Sequence, residues 1–264
     1  MLKEGVILKY SILYCVYNNT AQFRNSLFTA ACQSWSDDLG KKPYEIIIAD
    51  NNTPGDSIKT MSRGIDPTTI FKDGFVRYLR IKEDQKRCTN ITQGINLAAL
   101  AATGDYIIIV ADSNVLLSFN LIDKIDEMID PDTLVLSTGP KNDVKISPGG
   151  TKNSEYADIS YGQAAQINAK LLANMGWPND PINLDLSKVK HRYPPPHRVR
   201  DCYIAAMPRN AYLSYGGYDE SQTTWGTYHE FFLDAMAGYL KHEKHLRGVR
   251  IVHQYHSVLK EKSI

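Results

Sequence analysis

The stretch TGDYIIIVADSN, Thr103 to Asn114, carries the reading of the fold. Its centre, Tyr106 to Ala111, is apolar without alternation, the pattern of a strand covered on both faces. Asp112-Ser113-Asn114 closes it with turn-forming residues. Just upstream, Asn90 to Ala102 places alanine and leucine at helical spacing, and Gly104 is the expected C-terminal cap. Further back, Tyr44 to Ala49 (YEIIIA) is a second continuous strand, ending at Asp50-Asn51-Asn52-Thr53-Pro54-Gly55-Asp56. Tyr10 to Tyr17 (YSILYCVY) is a third, broken by Asn18 and Asn19. Thr20 is placed to cap a helix running to about Trp35, and Val76 to Ile81 is a weaker strand.

This β-α-β-α-β order predicts an α/β fold with a mostly parallel central sheet flanked by helices. Ligands in such sheets bind beyond the carboxyl ends of the strands. Three strands here end in Asn18-Asn19, Asp50-Asn51-Asn52 and Asp112-Ser113-Asn114, so their polar tips converge on one edge.

The second half is less regular. A strand is expected at Leu134 to Ser137, a helix from about Thr227 to His242, and a strand from Val249 to His253. Between them, Lys141 to Arg200 is polar and rich in Pro and Gly, as functional loops and disordered segments are. Within it, the basic Arg192 to Arg200 stretch reads as a solvated loop ahead of a phosphate grip. The 264 residues suit one large α/β domain or two small ones.

Thirty Lys and Arg against 29 Asp and Glu leave a formal charge of +1, which offers no field for a nucleic-acid backbone or anionic membrane. Four cysteines without metal-site spacing favour a reducing, cytoplasmic setting. No apolar run reaches the roughly 18 residues of a membrane helix.

Several groups can carry chemistry. Asp112 and Asn114 can present two oxygens to a hard divalent cation, although taken alone the pair favours an Asx-turn. Asp50 can accept a hydrogen bond from a base or ribose, or simply satisfy its own loop. In the late segment, Gly216-Gly217 permit positive φ, Trp225 offers a flat face to a sugar ring, and Glu230 opens a helix. A carboxylate or imidazole there can deprotonate a hydroxyl. Equally, the segment reads as a turn, a core Trp and a helix-opening acid. One of His253 and His256 can complete a metal site; a structural histidine is the default for each.

In this order and spacing the segments resemble glycosyltransferases of the GT-A fold, the Rossmann-like fold of nucleotide-diphospho-sugar transferases, and family 2 in particular. Tyr10 to Asn19 is similar to the opening strand that touches the nucleotide, and EIIIADNNTPGDS (Glu45 to Ser57) to the strand bearing the base- or ribose-binding acid. Asn96 through Asn114 resembles the helix, turn and strand leading into a metal-binding DxD. LSYGGYDE (Leu213 to Glu220) and WGTYHEFF (Trp225 to Phe232) look like the acceptor-side motifs, and IVHQYH (Ile251 to His256) like the late metal histidine. About three quarters of the chain is covered.

The resemblance implies a single GT-A domain over 1–264, with a nucleotide-sugar half at 1–118 and an acceptor half at 119–264 that contains the 141–200 loop segment. It assigns Tyr17, Asn18, Asp50, Asn52, Asn96, Asp112 and Ser113 to the nucleotide. Asp112, Asn114, His253 and His256 fall to Mn²⁺ or Mg²⁺, and Trp225, Gly226 and Gly217 to the acceptor. The implied reaction is metal-dependent transfer of a sugar from a UDP-sugar to a glycan or other hydroxyl acceptor, with inversion. The sequence departs from the family twice. Asn114 replaces the second DxD acid, and Tyr228-His229 stand where the family has Glu-Asp or Glu-Asn. His229 thus occupies the base position with Glu230 next to it, and Glu230 is the preferred base of the two. The alternatives are a non-catalytic nucleotide-sugar binder and, behind it, a sugar nucleotidyltransferase.

Overall fold

A computed structural model describes residues 9–17, 20–35, 43–53, 75–87, 90–137, 145–147, 203–221, 227–247 and 249–253. The continuous apolar runs form the centre of the sheet. Strands β1 (Tyr10–Val16), β2 (Tyr44–Asp50), β3 (Phe75–Arg80) and β4 (Tyr106–Val110) lie in the order β3-β2-β1-β4, all parallel. Beyond β4 the sheet continues through β8 (Ile204–Pro208), β6 (Thr133–Leu136) and β9 (His242–His245) to seven strands. Only β8 runs against its neighbours, so the sheet is mostly parallel, as expected.

Every residue of β1 and β2 is buried, because helices cover both faces. On one face, Phe23 and Leu27 of α1 (Thr20–Ala31) pack with Tyr14 and Ile48. On the other, Ile95, Ala98 and Ala99 of α2 (Thr92–Ala101) pack with Leu13 and Ile47. The same cluster takes in α4 (Arg209–Tyr215) and α5 (Thr227–Tyr239). A second, three-stranded sheet orders β5 (Val115–Leu117), β10 (Arg250–His253) and β7 (Lys145–Ser147). Helix α3 (Leu121–Asp126) follows β5.

Three expectations need correction. The first helix ends at Ala31 rather than Trp35, where Gln33 turns its amide back onto the Thr29 carbonyl. Gly104 does not cap α2, since the capping residue is Ala102, in extended conformation. What Gly104 permits is contact with β1: a Cβ there would sit 2.7 Å from the Tyr10 carbonyl carbon. The last helix stops at Tyr239, and His242, expected within it, opens β9.

Candidate active site at the carboxyl edge of the sheet

The register gathers the polar tips. Val16 of β1 pairs with Asp50, and Tyr14 with Val110, so Asp50 and Asp112 leave the sheet on either side of β1 at one edge. Two strand spacings separate β2 from β4, roughly 10 Å. No antiparallel strand intervenes.

At the β2 tip, Asp50 is fully buried. One carboxylate oxygen accepts the Thr53 N–H at 2.8 Å and the other the Tyr78 hydroxyl at 2.6 Å. The group therefore fixes a tight turn in which Asn52 takes a left-handed φ of 60°, a conformation asparagine tolerates. Asn52 donates to Glu83, and Arg80 reaches the Thr53 carbonyl at 3.1 Å. The neighbouring Asn51 amide oxygen is buried without a hydrogen-bond partner among the described residues, which marks this tip as a place to look for a ligand donor. Sequence reasoning passed Asn51 over for its neighbours. Across the edge, Tyr17 is exposed at the end of β1 with the Lys86 ammonium 4.8 Å from its ring centroid.

Past β4 the chain turns sharply. The half-buried Asp112 accepts the Asn114 N–H at 2.8 Å through its carboxylate, and its carbonyl accepts the Val115 N–H at 3.3 Å. The Asx-turn reading of this pair is thus realised, with Ser113 at its apex. The turn leads straight into β5, whose Val115 pairs with His253 of β10. Backbone register therefore sets His253 beside the Asp112–Asn114 turn. His256 lies outside the described residues, as does the His253 side chain. Among the described side chains, no three His, Cys, Asp or Glu residues cluster in a metal-binding group.

The acceptor-side motif meets the nucleotide half through Asn96. Its side-chain oxygen accepts the Tyr212 hydroxyl at 2.6 Å and the Tyr218 N–H at 2.9 Å. Its amide nitrogen donates to the Tyr218 carbonyl and to Glu220, each at 2.9 Å. Glu220 also holds Arg87 at 2.7 Å. All four of the amide's bonds go to this latch. Gly217, with φ +71°, makes the turn that the latch closes on. His229 is buried with Nδ1 2.5 Å from the Tyr218 hydroxyl. Asn18, Trp225 and Gly226 lie outside the described residues, as does the side chain of Glu230.

The architecture is that of the GT-A glycosyltransferases. Solved structures similar to this chain include residues 1–349 of S. aureus TarS, which it matches at 12% identity with a TM-score of 0.59 over 95% of its own length and 60% of TarS 1–349. The mannosyltransferase PcManGT of Pyrobaculum calidifontis, solved with GDP-Man and Mn²⁺, matches at 15% identity and TM-score 0.54, over 96% of this chain and 58% of that one. GalNAc-T7, solved with UDP, GalNAc and Mn²⁺, matches at 13% and 0.56, over 97% and 45%. TarS 1–349 has also been solved with UDP and with UDP-GlcNAc. The chain thus spans about three fifths or less of these proteins. No family model matches the sequence, and no curated protein does.

Proposed function

We propose that this chain is a metal-dependent glycosyltransferase, akin to family 2, that transfers a sugar from a UDP-sugar to an acceptor hydroxyl with inversion. One observation carries the reading: parallel strands deliver the Asp50–Asn52 and Asp112–Asn114 turns to the same edge, and β10 pairs His253 beside the second. Solved relatives in fold that hold UDP, GDP-Man and Mn²⁺ support it. Tyr17, Asn18, Asn52 and Ser113 receive the nucleotide; Asp50 and Asn96, expected from the sequence to touch it too, hold their bonds within the fold and brace the loops around it instead. Asp112, Asn114 and His253 supply two oxygens and an imidazole, a donor set that fits Mn²⁺ or Mg²⁺. A cation held by these residues would neutralise the diphosphate and improve it as a leaving group. Trp225, Gly226 and Gly217 are assigned to the acceptor. His229, already hydrogen-bonded through Nδ1, is placed ahead of Glu230, the base the sequence prefers, to take the proton from the attacking hydroxyl, and Glu230 is the other base to be tested.

Calorimetric titration of UDP with and without Mn²⁺ tests this. Asp112→Asn keeps an acceptor for the Asn114 N–H but removes the charge, so thermal stability should hold while Mn²⁺-dependent UDP affinity falls at least about tenfold. UDP binding that ignores both Mn²⁺ and the substitution would overturn the assignment.

A further inference from the structure

The partner of His229 carries a role that the reaction above does not yet use. Tyr218 is buried, and its ring is wedged against Phe232 at 4.2 Å between centroids and set edge-on to Tyr212 at 6.1 Å. One side chain also holds its backbone from both ends: Asn96 accepts the Tyr218 N–H and donates to the Tyr218 carbonyl, each at 2.9 Å. Asn96 is in turn fixed by the Tyr212 hydroxyl at 2.6 Å. With ring and backbone both pinned, the Tyr218 hydroxyl is a stationary point, and the imidazole 2.5 Å away must settle against it. A hydroxyl can accept from a ring nitrogen or donate to it, and the direction of this bond decides which nitrogen keeps the proton.

Resting on the reading of His229 as base, we propose that Tyr218 is its positioning residue. The Tyr218 hydroxyl oxygen accepts the Nδ1–H of His229 and so confines the neutral imidazole to the tautomer whose lone pair lies on Nε2. When Nε2 takes the proton of the acceptor hydroxyl, the Nδ1–H bond persists and strengthens to the charged ring, and the phenol keeps its own hydrogen. The opposite arrangement, in which the phenol donates to Nδ1, leaves Nε2 protonated and unable to act as base.

Nitrogen-15 NMR of the full chain, labelled at histidine and assigned with His229→Gln, reads the tautomer directly. The expected wild-type result is a protonated Nδ1 and an unprotonated Nε2 on neutral His229. In Tyr218→Phe the signal should move towards a mixture of tautomers, and kcat should drop roughly tenfold with the donor KM unchanged. A wild-type His229 protonated on Nε2 overturns the proposal, as does a Tyr218→Phe variant that alters neither tautomer nor kcat. A wild type that transfers from no nucleotide-sugar overturns the functional reading instead, and the tautomer measurement stands apart from it.

Discussion

Gly217 shows how one backbone angle ties the two ends of the candidate site together. Its φ of +71° is unfavourable for any residue with a side chain, and a Cβ there would meet the Asn96 side-chain oxygen at 2.5 Å. Gly217→Ala therefore strains the backbone by about 1–2 kcal/mol and pushes apart the latch on Tyr218. A melting temperature lower by roughly 5 °C is expected, together with a loss of activity exceeding the loss of UDP affinity. Unchanged melting and turnover would show that the turn has another way to close. Two adjacent glycines announced a positive φ in the sequence, and the structure gives one at both. Asn96, which bonds Tyr218 next to them, stands some 120 residues away, and only the packing of α2 against α4 reveals that link. The same holds for Tyr218. Nothing in GGYDE distinguishes a phenol aimed at an imidazole from a half-buried core tyrosine.

The elements read most easily were those whose burial is written in a continuous apolar run. β1, β2 and β4 fall within a residue of expectation, because isoleucine- and valine-rich segments have one stable place in a sheet covered on both sides. β8 (IAAMP) and β9 (HEKH) were missed for opposite reasons. The first has small side chains and follows a long polar segment; the second is nearly all polar. Each is a strand because of what lies beside it, β4 and β6 for β8 and β6 for β9. The join between α3 and the start of β1 was invisible for the same reason, and it offers a pH test. Asp126 of α3 accepts hydrogen bonds from the Lys9 ammonium and the Tyr10 hydroxyl. Partial burial opposes its ionisation, but those two bonds and the Lys9 charge outweigh it and hold the carboxyl below its usual range. A depressed carboxyl stabilises the fold above its unfolded pKa and loses that contribution as pH falls through the folded value. Wild type should thus melt above Asp126→Asn near neutral pH, with the gap closing below about pH 4. A gap of constant size would mean that the contact acts through packing alone.

The sheet runs unbroken from the nucleotide-side strands β3, β2 and β1 through β4 to β8, β6 and β9, so the proposed donor and acceptor regions share one support. The convergence of strand tips, visible in the sequence, depended only on the parallel order. The pairing of β5 with β10 did not, since β5 is three residues long and its partner lies more than 130 positions away. That pairing sets the His253 backbone beside the Asp112–Asn114 turn, and under the proposed function metal and nucleotide binding would depend on each other. The dependence can be measured without knowing the acceptor. A ligand that binds only the native state raises apparent stability with its concentration, by about 2.7 kcal/mol at a hundredfold excess over Kd. For a chain of this length that is a shift of roughly 5–10 °C. In a thermal-shift panel of nucleotide-sugars, UDP-sugars with Mn²⁺ should give such a shift, neither component alone should reach it, and Asp112→Asn should lose the excess. Equal stabilisation by every nucleotide, or by UDP-sugars regardless of metal, would separate the cation from the diphosphate and leave the paired turns at the sheet edge without the shared ligand proposed for them.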